Sequence, residues 1–294
     1  MIVRHHASRV TWNNPAVPSA AYRMRYGVYV PSYGPYGDPA TLRELAVAAE
    51  DAGWDGFFMW DLVTPDTYEP PFADPWVVLA AIAQTTTAIK LGPLVTPLPR
   101  RRLGTLALQA STLQSLSGGR LILGLGTGVG WDYSRWGEPA KRSVLAARLD
   151  EGAPVLARLL SGEPVEHSGD HFQVTDVRFP PTTVPIWTSG FWPRKGPVRG
   201  AAGADGLFPQ IRDAADDFRI PTPEELITIR ADFERDGGRP GADFVIWSPN
   251  PAWAPDAARA EAYEEVGVTW WLQDGSEVTP ADLLRRIRTG PPQR

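Results

Sequence analysis

One phrase, a helix followed by a glycine and then an apolar strand, recurs in this chain. It reads EDAGWDGFFMW at residues 50–60, RGAAGADGLFPQ at 199–210 and EEVGVTWWLQ at 264–273. Gly53, Gly203 and Gly267 stand where a helix ends in the left-handed region, and the runs behind them are apolar on both faces. A strand apolar on both faces is covered on both faces, and strands that alternate with helices run parallel. The phrase therefore argues for helices packed around a parallel sheet.

Extended along the chain, the pattern gives YGVYV from Tyr26 with a helix over Pro39–Ala52, then DGFFMW with a helix from Pro75 to about Thr87. IKLGPLV follows with a helix over Leu103–Leu116, and RLILGLG, a run starting at Leu121, with one from about Lys141 to Leu160. PIWTS leads to a short helix near Val198, and DGLFPQ to a helix from Pro223 to about Glu234. FVIWS with a helix from about Asp256 to Glu265, and VTWWLQ with one over Pro280–Ile287, complete eight units. Asp38-Pro39, Asp74-Pro75, Thr222-Pro223 and Thr279-Pro280 each set an oxygen-bearing cap before a proline whose missing N–H costs nothing at the first helical position. Thr222 with Glu225 and Thr279 with Asp282 have capping-box spacing. Eight such units predict a closed (β/α)8, TIM-type barrel as a single domain over residues 25–294, with an open doubly wound sheet as the alternative. Residues 1–24 are polar and without period, and read as a tail or arm. Glu163 to Thr183 breaks the rhythm with short apolar runs around Ser168-Gly169-Asp170, a β-hairpin insertion before the fifth strand.

Several function classes fall away. The chain has no cysteine, so disulfides, thiolate metal sites and cysteine nucleophiles are excluded, and a cytoplasmic location is expected. No apolar window is long enough for a membrane span, and a net charge of −5 with a single basic run, Arg100 to Arg102, argues against nucleic acid as a partner. Those three arginines suit a small anion. The four histidines, His5, His6, His167 and His171, fall in the tail or the hairpin, so no metal is expected at the barrel mouth and Ser-His catalysis lacks its base.

Chemistry in such a barrel sits at the carboxyl ends of the strands. There the chain offers Asp61, Thr96, Ser189, Gly190, Gln210, Ser248, Asn250, Gln273 and Asp274, and the glycine-rich stretch Gly126, Thr127, Gly128. Glycines after a buried strand let main-chain N–H groups approach a phosphate, or simply serve a tight strand exit. Residues 131–139 read as an aromatic loop, which disfavours a dinucleotide fingerprint. Trp131, Trp136 and Trp192 are placed as pocket walls. Only Asp61 and Asp274 are acids squarely at strand ends, a meagre pair for a carbohydrate hydrolase. A mouth poor in acid-base groups is better explained by a bound cofactor that carries the chemistry.

The phrases DPWVVLAAIAQTT, IKLGPLVTPLPRRR, LQSLSGGRLILGLGTG, LSGEPVEHSGDHFQV, VPIWTSGFWP and GAAGADGLFPQ together resemble the bacterial luciferase-like family of flavin- or F420-dependent oxidoreductases. The resemblance implies FMN or coenzyme F420 across the mouth, its phosphate near Gly126, Thr127 and Gly128 with Ser189 and Gly190 beside it. It also implies a backbone bulge at Leu94-Val95 behind the ring, a non-proline cis peptide in similar proteins. A small, partly apolar organic substrate and a possible homodimer follow from it as well, as does an oxidoreductase or monooxygenase activity with Asp61 as a catalytic carboxylate. The acidic tail of F420 would be met by Arg100, Arg101 and Arg102. Members that use F420 commonly carry Asp then His after the second strand, whereas this chain has Leu62 after Asp61. That departure leaves room for a substrate with no hydroxyl to deprotonate, or for a barrel that binds flavin without turnover.

Overall fold

The computed structural model describes residues 23–65, 70–193, 198–248 and 257–292. The expected tail over residues 1–22 with His5 and His6, the strand-end residue Asn250 and the helix start at Asp256 lie outside the described residues. In chain order come β1 (Arg25–Val30), α1 (Pro39–Asp51), β2 (Gly56–Met59), α2 (Pro75–Thr85), β3 (Lys90–Pro93), β4 (Thr96–Pro97) and α3 (Leu103–Leu116). Next are β5 (Leu123–Gly126), α4 (Gly130–Ser134), α5 (Arg142–Ser161), β6 (Val165–Ser168), β7 (Gln173–Val177), β8 (Ile186–Trp192) and β9 (Gly206–Arg212). The last are β10 (Phe218–Arg219), α6 (Pro223–Arg235), β11 (Asp243–Ser248), α7 (Ala257–Glu265), β12 (Trp270–Asp274) and α8 (Pro280–Ile287).

The main sheet runs β3-β2-β1-β12-β11-β9-β8-β5-β4. β3 and β4 are two parts of one stave: β3 pairs with β2, β4 pairs with β5, and the peptide bond between Leu94 and Val95 that separates them is cis. A parallel bridge from Leu91 to Leu121 closes the circle. The chain thus forms a (β/α)8 barrel of eight parallel staves, with the β6–β7 hairpin inserted before β8.

Local chemistry sets most boundaries. Asp38 accepts from the Ala40 and Thr41 N–H groups, Asp74 from that of Val77, and Thr222 with Glu225 forms a reciprocal box. At α8 the box is only half made: Thr279 Oγ1 accepts from the Asp282 N–H, but the Asp282 carboxylate accepts from the Thr279 hydroxyl instead of from a backbone N–H. Gly53, Gly203 and Gly267 adopt φ of +85°, +75° and +84°. The short helix expected near Val198 is absent from the described residues. Two successive turns stand there, closed by the Ala201 and Ala204 N–H groups, because Gly200 and Gly203 are both left-handed. Residues 131–139 are not simply a loop, since α4 occupies their first part. Met24 is fully buried and donates its N–H to Glu264, so it belongs to the fold and not to the tail.

Two apolar clusters follow from strand alternation. Leu125, Ile186, Trp192, Leu207, Phe244, Ile246 and Trp271 face the helices in the large outer core. Their neighbours Tyr29, Phe58, Leu94, Trp187, Phe208, Val245, Trp247, Trp270 and Leu272 point inward and fill the barrel. The rings fit because inward positions beside them are glycine: a Cβ on Gly56 would lie 2.5 Å from Phe58 and 2.8 Å from Trp270, and one on Gly206 would overlap Trp187. The barrel is plugged by side chains, which leaves its carboxyl end for ligands.

Candidate active site at the barrel mouth

Continuing the same alternation past the inner cluster brings Trp60, Val95, Gly126, Ser189, Gln210 and Asp274 onto the inward face at the mouth. The floor is the cis Leu94–Val95 segment. Its Leu94 carbonyl accepts a hydrogen bond of 2.8 Å from the hydroxyl of Tyr29, which reaches across from β1. Burial pushes the Tyr29 phenol well above its ordinary pKa, so it stays a donor.

On the side formed by the chain after β2, β4 and β5, the charged groups are tied to one another. Asp61 is 4% exposed and accepts from Trp76 Nε1 at 3.0 Å, Thr96 Oγ1 at 2.7 Å and Arg101 Nη2 at 2.8 Å. Arg100 pairs with Asp132 at 2.6 Å and with Glu138 at 2.7 Å. Asp132, on α4, also accepts from the N–H groups of Val63 and Thr64. Arg135 donates to the Pro65 carbonyl, and Trp136 Nε1 to Thr64 Oγ1 at 2.9 Å. Arg100 and Arg101 are therefore neutralised inside the protein, contrary to the expectation of three arginines held for an external anion; Arg102 is exposed at the start of α3.

The glycine stretch is also explained first by packing. A Cβ on Gly126 would lie 2.5 Å from Val95 Cγ2, and Gly128 has φ +68° with Pro97 2.8 Å from where its Cβ would be. The Thr127 carbonyl is held by the Tyr133 hydroxyl at 2.8 Å. Valine at either glycine would disturb the fold before it met a ligand, so packing requires these glycines whether or not a phosphate lies beside them. Ser189, half-buried, points inward beside Gly126. Gly190 faces the other way, where a Cβ would touch only the Trp192 ring at 3.6 Å or more, so it borders the mouth by its backbone. Leu62 is half-buried after Asp61, and Trp131 is half-buried with the Arg135 guanidinium 5.5 Å from its ring centre. Trp136 is 58% exposed on the rim. Trp192 packs in the outer core and is not a pocket wall, because it lies one residue out of phase with the inward positions of β8.

Across the mouth the wall is aromatic. Phe191 on β8 and Phe218 on β10 stack at 6.2 Å and 27°, and Phe218 meets Trp247 of β11 edge-on at 5.3 Å. β10, a short antiparallel addition to β9, carries no signal in the sequence beyond two residues, and Phe218 was missed with it. Phe191 was within reach, since extending the alternation of PIWTS by two residues turns it inward. Asp132 and Trp76 had no local signal at all. Between the two sides, Asp274 is 7% exposed and bonded to the Ser276 N–H and hydroxyl. Burial, and then the Glu277 charge, raise its pKa to about 6 against the lowering effect of Ser276.

Among the described residues no group of three His, Asp or Glu side chains is placed to hold a metal, and no helix is long and apolar enough to cross a membrane. The mouth does suit a flat cofactor. Its floor is apolar, and Trp60 Nε1, enclosed beside the rings of Tyr29 and Tyr33, is one of several buried indole N–H groups without an acceptor among the described residues; unlike those of Trp187 and Trp270 it lies at the mouth, where a ligand atom could accept from it.

An F420-dependent glucose-6-phosphate dehydrogenase of Nakamurella multipartita is 29% identical over 252 residues, covering 76% of this chain and 72% of that protein. In fold, the chain is similar to an F420-dependent secondary alcohol dehydrogenase solved in complex with an F420-acetone adduct. The TM-score is 0.71 at 18% identity, covering 91% of this chain and 97% of the other. It is also similar to a type II Baeyer-Villiger monooxygenase of Pseudomonas putida solved with FMN, with a TM-score of 0.59 at 17% identity, 79% of this chain and 68% of the other. Asp61, ion-paired to Arg101, makes a poor half of a hydrolytic pair. The sequence profile of the luciferase-like monooxygenases matches residues 24–286, and the chain accordingly belongs to that family of oxidoreductase enzymes.

Proposed function

We propose that the protein binds coenzyme F420 across the barrel mouth and oxidises or reduces a small, partly apolar organic molecule. The observation that carries this reading is the inward surface above the cis Leu94–Val95 bond, bordered by Ser189, Gly126 and the unsatisfied Trp60 Nε1. F420 is favoured by the relatives, whose names carry it. FMN is the second reading, supported by the fold neighbour that holds it. When bound, either cofactor supplies two-electron chemistry that the side chains at the mouth do not.

The residues of this chain then have defined tasks. Val95 and Leu94 form the floor on which a flat ring would rest, and Tyr29 fixes the Leu94 carbonyl so that the floor does not shift. Asp61 and Arg101 hold Thr96, and with it β4, in place; Asp61 serves in this reading as a positioning residue. Thr127, Gly128 and the Gly190 backbone edge the site on the side where a phosphate would lie. Leu62 keeps the β2 edge apolar, which suits a substrate with no proton to give up there.

Fluorescence titration with F420 and with FMN tests the reading. Saturable binding of F420 in preference to FMN is expected. Ser189→Phe should weaken it by roughly tenfold or more, about 1.4 kcal/mol, with little change in melting temperature, because Ser189 is only half-buried on the inward side of β8. If neither cofactor saturates the parent protein, the reading fails; if FMN binds more tightly, the second reading replaces the first.

A further inference from the structure

Phe191 and Phe218 are 36% and 37% exposed, a large apolar area to leave open at the end of an otherwise closed core. Their direction is fixed by register. On β8, Trp187 fills the barrel while Ile186 and Trp192 face the helices, so Ser189 and Phe191 lie on the inward side. Phe191 pairs with Gln210, and Phe218 on β10 pairs with Arg212 two residues further along β9, which keeps Phe218 on the same side. Trp247 joins this pair to the barrel interior, packing edge-on against Tyr29 at 5.8 Å and against Phe218 at 5.3 Å. A continuous series of rings thus runs from the residue that holds the cis peptide carbonyl out to the rim of the mouth.

Arg212 stiffens this wall without charging it. Its guanidinium carbon lies 4.2 Å from the centre of the Phe218 ring and 5.6 Å from that of Phe191, within cation–π range. The same guanidinium donates to the Asp216 carbonyl at 2.8 Å and to its carboxylate at 2.9 Å, so its charge is already matched. What remains on offer is flat π surface, which gains more from a planar ring than from a puckered one because more atoms reach contact distance at once.

Resting on the reading of the mouth as a cofactor site, we propose that Phe191, Phe218 and Trp247 form the substrate wall and select an aromatic or conjugated planar ring over a saturated one. Acetophenone and cyclohexyl methyl ketone make a matched pair of probes, equal in skeleton and carbonyl and different in ring planarity. Their binding to the F420-loaded protein is measured by saturation-transfer NMR, alongside F420 affinity and thermal melts, for the parent, Phe218→Leu and Phe191→Leu. The parent is expected to bind acetophenone at least fivefold more tightly. Each leucine variant should bring the two ketones within about twofold of one another while F420 affinity stays at the parent value and the melting temperature stays within a few degrees of it. Equal binding of the two ketones by the folded parent, or a preference that survives both substitutions, overturns the proposal. Failure of F420 and FMN to bind overturns the cofactor reading instead, and the same ketone comparison on the cofactor-free protein then still decides the role of the wall.

Discussion

On the side of the mouth built from the chain after β2, β4 and β5, nearly every polar side chain is committed to another. Asp61 is held by Arg101, Trp76 and Thr96, and Asp132 by Arg100 and two backbone N–H groups from the chain after β2. Across the mouth, above β8, β9 and β11, Phe191 and Phe218 stand half-open and touch chiefly other rings and Arg212. Buried ion pairs have one good arrangement and lose heavily when a partner goes, whereas stacked rings slide at little cost. In the proposed reading the first side holds a cofactor floor at constant shape and the second accommodates substrates.

The comparison is broken most directly at Asp132. Arg100 and Asp132 are 5% and 2% exposed at their side chains, so Asp132→Ala strips the buried guanidinium of one of its two carboxylates and leaves the Val63 and Thr64 N–H groups without their acceptor. A loss of about 3 kcal/mol is expected from the lost charged hydrogen bond and the orphaned N–H groups, which lowers the melting temperature by about 5 °C in a domain of this size. Phe218→Leu, by contrast, should cost no more than about 1 kcal/mol at its half-exposed site. Equal losses in calorimetry or denaturant unfolding would erase the distinction between the two sides.

Asp274 sharpens it, since this carboxyl belongs to neither network. Its pKa of about 6 lies above the value of an unfolded chain, so the folded state binds the proton more tightly. Stability therefore falls as pH rises from about 4 to about 6 and is level above that, a swing of about 2–3 kcal/mol. Asp274→Asn removes the dependence, and its advantage over the parent should be larger at pH 7.5 than at pH 4.5 in paired melts. A gap that does not change with pH would mean that Asp274 keeps an ordinary carboxylate pKa.

The smallest effect is expected at Leu62. Leu62→His adds a titratable group on the rigid side without touching the network around Asp61, so F420 affinity should stay within about threefold, or 0.7 kcal/mol. Oxidation of simple secondary alcohols should appear or rise, because an imidazole at the β2 edge can take the hydroxyl proton. If the parent already oxidises those alcohols as fast, the apolar edge has no bearing on the chemistry.

The sequence by itself determined the barrel. Eight alternations, proline-headed caps and left-handed glycines are local signals, each readable within a turn or two of its own position, and together they favour a closed barrel over the open doubly wound sheet. Where two glycines interrupted the local signal, near Val198, the expected helix was replaced by turns. The inward set at the mouth was partly readable, because period-two alternation carries Ser189 and Gly126 there without further information. The partners were not. Asp61 meets Arg101 forty residues later, Val63 meets Asp132 after sixty-nine, and Phe191 meets Phe218 only because β10 folds back on β9. An arginine looks the same in sequence whether a carboxylate or a ligand will neutralise it, and closing the barrel is what brings the carboxylate within 3 Å. Tertiary structure alone therefore decided which charges at the mouth were already matched, and which apolar surface was left open.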